Sequence, residues 1–525
     1  MTLCVAQQAV QRCFPVVRRS LTQGAALAQA LGTAGVQDEV HVATTRPFTE
    51  IPSTGNNGWI NLLRFWKGDT LQKLHLHMDD SFRKLGPIYR EKIGSKEMVN
   101  VFLPEDVEAI FHSEDVYPRR MQIALWIAHR DSRKRCYGVF LKDGPAWRED
   151  RLVLNKEVMS VGAVNKFLPL LDEVSCDFVA HLAQRIERGG LGGSLKMDLY
   201  PELFRFTMES SCNVLFGERL GLLSTLTPDS KKFISSIERM FETTLSLMFI
   251  PPQLLQFLSI RQWKEQLACW DEIFNHGKFD LRVLDFYRKL HNNVASSTDR
   301  KYAGVLAELL EQAKLPVENI IASIIEMMVG GVDTTAVPLH MALFELARNP
   351  DIQELVRKQV QAAWEKTGGN AAETLKATPL LRAIIKEILR LYPVGVVIQR
   401  IPSKDLVLQN YHIPAGTLVQ VSLFSLGRSP QVFSQPLHFQ PGRWEKPQLD
   451  CSGSHSPFKF LTFGFGSRQC LGRRIAETEM QLFLLHMLKN FRLEVQSKEE
   501  IKFRYSLILL PEKVPHITFK LLSAN

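Results

Sequence analysis

The chain has 525 residues, of which 45% are hydrophobic, 23% charged and 9% aromatic; these globular proportions exclude a disordered, collagen-like or coiled-coil protein. Lys and Arg outnumber Asp and Glu by 64 to 55, a net charge of +9, and the excess forms no dense basic block, which suits acidic partners or lipid headgroups and argues against nucleic acid. Eight scattered cysteines without a CxxC pair exclude a disulfide framework and a zinc ribbon.

Residues 1–37 carry Arg12, Arg18 and Arg19, no Asp or Glu, and much Ala, Gln, Ser and Thr. This composition fits an amphipathic mitochondrial presequence, with a disordered tail as the alternative. From about residue 46 onward there is neither linker nor repeat, so 46–525 is expected to be a single domain. MVNVFL (98–103) reads as a strand, and helical periodicity dominates 150–390, with the glycines of 189–194 as a loop between helices. FETTLSLMFIPPQLLQFLSIRQWKE (241–265) combines apolar residues, two prolines and a basic end. A segment dipping into a membrane surface and a core helix pair with a Pro-Pro turn both fit it.

Residues 316–348 read as one helix, opened by Pro316 and stopped before Asn349-Pro350. It would span about 50 Å. Its middle is apolar nearly all round, as in a buried helix, yet Gly330, Gly331, Asp333, Thr334 and Pro338 fall close together there. Local rules broken at one place mark a functional site. Pro338 has no N–H to offer the carbonyl of Thr334, so the helix should loosen at that point. No run reaches the roughly 18 apolar residues of a spanning helix, so a soluble or surface-bound protein is expected. Further on, 405–424 and the segments SLILLP (506–511) and HITFKLL (516–522) read as strands, with Ile413–Thr417 as a hairpin corner. The whole is a mainly α fold with a small β region pushed to one side.

The chemistry concentrates in LTFGFGSRQCLGRRIAE, which holds Phe463-x-x-Gly466-x-Arg468-x-Cys470-x-Gly472. A glycine-bearing loop delivers one cysteine just before an amphipathic helix, where the dipole and free N–H groups favour the thiolate. Gly466 and Gly472 allow backbone and a flat ligand to approach closely. Arg468 can pair with an anionic group, and Phe463 can shield the sulfur. Cys451 lies upstream without this context. Glu387-x-x-Arg390 sits on one helix face.

This segment resembles the haem-binding signature of the cytochrome P-450 family, whose proximal iron ligand is a cysteine thiolate. Glu387-x-x-Arg390, Phe439-x-Pro441-x-Arg443-Trp444, Gly330–Thr335 and Trp147-x-x-x-Arg151 match further family motifs, and the resemblance runs from about Arg46 to the C-terminus. It implies the P-450 fold, with haem b between the long helix and the Cys470 loop. It implies that Glu387, Arg390 and Arg443 brace that loop, and that Asp333 and Thr334 deliver protons for dioxygen chemistry. Arg120, Trp147, Arg151, Arg400 and Arg468 would meet the haem propionates; Trp126, Phe140, Glu326, Val397 and Leu507 would line the substrate pocket. The presequence and the basic pair Arg382 and Lys386 are similar to the mitochondrial steroidogenic branch, whose members receive electrons from an adrenodoxin-like 2Fe–2S ferredoxin fed by an NADPH-dependent reductase. Arg473 and Arg474 could extend that docking face.

Several stretches, among them GVFLKDGPAWR (138–148) and VDTTAVPLHMALFELARNPDIQ (332–353), resemble the steroid 11β-hydroxylase and aldosterone synthase group, while EIPSTGNNGWINLLRFW (50–66) is similar to the cholesterol side-chain cleavage group. The resemblance therefore implies a steroid 11β-monooxygenase on the matrix side of the inner mitochondrial membrane, with side-chain cleavage second and a non-catalytic haem or steroid carrier as the contrasting class. Cys470→Ala should abolish the red-shifted carbon-monoxide band of a ferrous haem-thiolate, and Cys451→Ala should leave it intact; difference spectra of the two variants check this.

Overall fold

The computed structural model describes residues 45–190, 192–276, 283, 302–445, 456–497 and 499–522. The proposed presequence and Cys451 lie outside these residues. Helices α1 (Gly58–Lys67) and α2 (Leu74–Leu85) precede the hairpin of β1 (Ile88–Ile93) and β2 (Lys96–Val101). The Asn57 side chain accepts from the N–H groups of Trp59 and Ile60 and so fixes the start of α1. α3 (Pro104–His112), α4 (Ala124–Ser132) and α5 (Gly144–Val158) lead to the long α6 (Val161–Gly189). The glycines after α6 open into strand β3 (Ser194–Met197) rather than a loop between helices. α7 (Tyr200–Phe216), α8 (Pro228–Leu247), α9 (Pro252–Leu258), α10 (Arg261–His276) and α11 (Val305–Gln312) follow.

The expected single helix over 316–348 is two: α12 (Val317–Gly331) and α13 (Asp333–Arg348), interrupted at Val332 (φ −80°, ψ −73°). The interruption falls slightly before Thr334. There the Thr334 hydroxyl donates to the Gly330 carbonyl at 2.5 Å and occupies an acceptor of the last turn of α12. The two glycines differ in purpose. A Cβ on Gly331 would come within 2.9 Å of Ser211 Oγ on α7, whereas one on Gly330 would meet nothing within 4 Å. Gly331 therefore allows two helices to close on each other, and Gly330 alone leaves space beside the helix. By length and composition Val317–Arg348 is apolar enough to cross a membrane, contrary to the sequence expectation, but 72% of its most apolar window is buried inside the protein, so it is the central core helix.

α14 (Pro350–Lys366), α15 (Ala371–Ala377) and α16 (Pro379–Leu391) complete the helical side, followed by β4 (Val397–Arg400), β5 (Leu406–Leu408), β6 (Tyr411–Ile413), β7 (Leu418–Ser422), α17 (Leu423–Arg428) and α18 (Arg473–Asn490). The chain ends in β8 (Phe491–Glu494), β9 (Phe503–Ser506), β10 (Ile508–Pro511) and β11 (Ile517–Leu521). Among the described residues four small sheets result where one was expected. The largest has the order β1-β2-β7-β4, with β2 and β7 parallel and the other pairs antiparallel. Every residue of the inner strand β7 is buried, as a doubly covered strand requires.

The hairpin corner in this region is Gln409–Asn410, at φ +49° and +63° between β5 and β6, the conformation of a two-residue primed turn. Ile413–Thr417 instead carries the chain from that hairpin to β7 in the larger sheet. The two C-terminal strand segments also part company: β10 pairs with β9, while β11 lies between β3 and β8.

α16 and α17 meet where Gly427 lies against the end of α16. A Cβ there would run into the Arg390 carbonyl oxygen, backbone against backbone. Gly427→Ala should therefore cost about 1–3 kcal/mol, as overpacking of a tight interior does, and a lowered denaturation midpoint with reduced haem retention would register it.

Candidate active site

The loop before α18 is built on two left-handed glycines, Gly464 (φ +73°) and Gly466 (φ +65°). At Gly466 a Cβ would stand 2.5 Å from Glu114 Oε2 and 3.1 Å from the Phe111 ring, so only glycine fits. The Cys470 N–H donates to the Phe463 carbonyl at 2.7 Å, which folds the loop back on itself. Gly472 is the residue at which α18 starts. Its N–H reaches the Cys470 sulfur. Burial pushes the Cys470 thiol up, while the Gly472 N–H and the charges of Arg151 and Arg473 draw it down. The residue Cys470 keeps accessible surface although protein surrounds it, as a residue facing an internal cleft does.

Four arginines converge beside this cysteine. Arg468 stacks 4.0 Å above the buried Trp147 ring, donates to the carbonyls of Pro118 (2.9 Å) and Lys142 (3.1 Å), and pairs with Asp143. Arg151 donates from Nη2 to the Gln469 carbonyl at 2.7 Å, and its buried Nε has no partner. Arg400 pairs with Glu114 and donates to the Phe465 carbonyl at 3.0 Å. Arg120 donates to the Phe140 carbonyl at 2.6 Å and lies 3.9 Å over the Phe140 ring. Burial, then the charges of Arg468 and Arg400, bring Arg120 down to about 9. Burial, with Arg468 adding to it, brings Arg151 to about 10. Among the described residues only Asp143 and Glu114 pair with these four guanidinium groups, so two positive charges are left over within the set. The arrangement suits a ligand with two carboxylates.

Behind the loop, Glu387 is fully buried and saturated. Arg390 donates to both its oxygens (2.7 and 2.9 Å), Arg443 Nε to Oε1 (2.9 Å), Trp444 Nε1 to Oε2 (2.8 Å) and the Gln440 N–H to Oε1 (2.9 Å). Burial raises the carboxyl, but the Arg390 hydrogen bonds and the Arg390 and Arg443 charges outweigh it and hold it ionised. In the sequence Trp444 is only the last residue of a motif; its indole is a fifth donor position that no spacing rule reveals.

Asp333 and Thr334 diverge. Asp333 is the first residue of α13, buried, and accepts from the Tyr200 hydroxyl at 3.3 Å. It borders a polar cavity of about 350 Å³ whose wall includes Glu238, His340 and Arg504. Burial and the Glu238 charge push Asp333 up to about 7, against the Tyr200 hydrogen bond and Arg504. Tyr200, Glu238, His340 and Arg504 escaped the sequence reading because they come from α7, α8, α13 and β9 and share no motif. Thr334 turns instead to Gly330. Among the described residues no hydrogen bond joins the pair.

The residues expected at the substrate pocket are spread over several elements. Trp126 is buried, donates to Thr244 Oγ1 at 2.8 Å and meets Trp270 edge-on at 4.9 Å. Glu326 accepts from the N–H groups of Gly138 (3.1 Å) and Phe140 (2.8 Å), so both oxygens hold the 138–140 loop. Burial raises it to about 7 against the Arg130 charge. Val397 is on β4, and Leu507 forms the turn between β9 and β10 at φ +63°. On the opposite side, Arg382 is exposed, and Arg473 and Arg474 both face Glu477. One residue along an α-helix turns the side chain by about 100°, which would point Lys386 away from the Glu387 network. The long side chain instead bends so that Nζ lies 5.5 Å over the Trp444 ring and 5.9 Å from that of Phe460. Lys386 thus touches a member of the network.

The cytochrome P450 family matches residues 52–519. The chain is 48% identical over 485 residues, 92% of its own length and 91% of the relative's, to the mitochondrial cytochrome P450 11B of Aquarana catesbeiana. It is 46% identical over 484 residues, 92% of each, to the mitochondrial cholesterol side-chain cleavage enzyme of Oncorhynchus mykiss, and 45% identical over 493 residues, 94% and 95%, to the mitochondrial cytochrome P450 11B2 of Mesocricetus auratus. The chain belongs to the cytochrome P450 family. Membership implies a haem iron, and mitochondrial members draw electrons from a 2Fe–2S ferredoxin. The residues present fit that group. Cys470 faces an internal cleft, a guanidinium nitrogen is buried without partner, and two cationic charges match two propionates.

Glu387→Gln should leave two buried guanidinium groups undercompensated and cost about 3–5 kcal/mol; lowered haem loading and denaturation midpoint check it. For Asp333 the folded value near 7 lies above the ordinary carboxylate range. As pH rises from about 4 to 7 the unfolded chain ionises first, so the fold loses relative stability across that window. Asp333→Asn should therefore gain in thermal midpoint over the wild type as pH rises through it, which paired melts at pH 5 and 7.5 measure.

Proposed function

We propose that this protein is a mitochondrial haem-thiolate monooxygenase that hydroxylates steroids of the 11-deoxycortisol and 11-deoxycorticosterone class at carbon 11β, with electrons from an adrenodoxin-like ferredoxin. The observation that carries the enzyme class is the Cys470 thiol set beside a surplus of arginines whose charge burial disfavours. The 48% identity to a cytochrome P450 11B favours the 11β reading. Side-chain cleavage of cholesterol is the second reading, favoured by 46% identity over the same extent of chain.

In this reading Cys470 is the axial ligand and Arg120, Arg151, Arg400 and Arg468 hold the propionates, with Trp147 supporting Arg468. When bound, the haem supplies dioxygen activation and oxygen insertion into a C–H bond. The chain's own residues set the conditions. Glu387, Arg390, Arg443 and Trp444 keep the cysteine loop from moving, and Phe463 and Gly466 shape it. Gly330 leaves room on the distal side. Asp333, half ionised near neutral pH, exchanges protons with the polar cavity behind it, and Thr334 presents a hydroxyl at the helix interruption. Turnover needs such a proton route and simple carriage does not, which favours an enzyme over a carrier. Trp126, Phe140, Val397 and Leu507 line an apolar slot suited to a steroid, and Glu326 holds its loop.

Localisation to the matrix side of the inner mitochondrial membrane is part of the same proposal. Trp59, Ile60, Leu63 and Trp66 on α1 and Leu254, Phe257 and Leu258 on α9 are exposed apolar side chains. The two groups adjoin, because the Gly94 N–H donates to the Gly58 carbonyl and the Ser95 N–H to the Phe249 carbonyl. This supports peripheral contact with lipid.

Reconstitution with a 2Fe–2S ferredoxin and its NADPH-dependent reductase tests the reading. An 11β-hydroxylated product from 11-deoxycortisol, identified by mass spectrometry against standards, is expected; pregnenolone from cholesterol with no 11β product would select the second reading. Arg382→Gln, on the exposed face, should raise the ferredoxin concentration for half-maximal rate and weaken its salt dependence while leaving steroid affinity unchanged; ferredoxin titrations at two ionic strengths measure it.

A further inference from the structure

On the face away from the haem cleft, α6 and α18 bring together three side chains that the proposed reaction does not use. Asp172 and Cys176 lie one turn apart on α6, and His486 faces them from α18. His486 Nε2 is 2.6 Å from Asp172 Oδ1 and 3.6 Å from Cys176 Sγ. One ligand atom from each residue falls within 4.8 Å of the others. His486 is buried and braced edge-on by Trp364 at 5.7 Å, whereas Cys176 is exposed.

These are the donors of a borderline-soft cation: thiolate, imidazole and carboxylate. Bond lengths of about 2.3 Å to sulfur and about 2.0–2.1 Å to nitrogen at a tetrahedral angle separate the two donors by about 3.5–3.6 Å. The observed 3.6 Å meets that separation without movement. The 2.6 Å contact between imidazole and carboxylate is a hydrogen bond, and Asp172, with 28% of its side-chain surface exposed, has room to withdraw to ligand distance. We propose that Asp172, Cys176 and His486 form a zinc-class binding site with a fourth position open to water. On binding, the Cys176 thiol releases its proton to solvent, and the imidazole keeps its one proton on Nδ1 while Nε2 takes the metal. Thiolate and carboxylate then balance the 2+ charge. His486 lies sixteen residues beyond Cys470, thirteen of them along α18 from Arg473, which is about 20 Å at helical rise, so the site is separate from that at Cys470. Zinc there would clamp α18 to α6.

Chelator-treated, fully haem-loaded enzyme is titrated with zinc ions alone against a chromophoric chelator. One equivalent should bind, and Cys176→Ser should weaken it by at least about tenfold. Cys176 is exposed, so this variant keeps its fold, checked by an unchanged carbon-monoxide spectrum. Cys136→Ser is the control and should bind zinc like the wild type. Absorption-edge spectroscopy at zinc should show one sulfur neighbour near 2.3 Å, lost in Cys176→Ser. No binding above that of Cys176→Ser, or an unchanged sulfur neighbour in it, overturns the site.

Discussion

One buried carboxylate fastens the catalytic half of this molecule. Glu387 sits at the end of α16 without solvent contact and receives donors from Arg390, Gln440, Arg443 and Trp444. Removing any partner leaves a charge stranded in a low-dielectric interior, so the elements that carry them cannot separate cheaply. Arg390 extends the grip through the carbonyls of Gly427, Pro436 and His438. The described segment after α17, residues 429–445, has little secondary structure of its own and is thereby tied to the end of α16.

The cleft in front of the Cys470 loop is held under the opposite condition. There the charges are incompletely matched: guanidinium groups depress one another, and a buried nitrogen waits for an acceptor. A protein tolerates such a cluster when a ligand completes it. Stable bracing behind the cysteine and unsatisfied charge in front are two uses of the same residue type. Arginine serves both because it remains charged when buried.

Much of this was legible in the sequence. The glycines and cysteine of the Cys470 loop, the Glu-x-x-Arg pair and the disturbed central helix announce themselves because backbone geometry demands particular residues at fixed spacing. What could not be read depends on approach in space. The break at Val332 rather than Thr334 arises from a side-chain hydroxyl taking a backbone acceptor. Gly331 is required by Ser211 on another helix. Lys386 lies on an indole that joins the chain more than fifty residues later. Strand partnership failed similarly: β10 and β11 look equivalent in sequence, and only the packed fold sends them to different sheets.

The interruption between α12 and α13 divides a rod into two helices. α13 begins with Asp333 and is packed tightly along nearly its whole length. α12 carries Glu326, whose carboxylate holds the loop bearing Phe140, over whose ring Arg120 is stacked. Phe140 and Arg120 are therefore tied to α12 through one carboxylate, while α13 is anchored by its own packing.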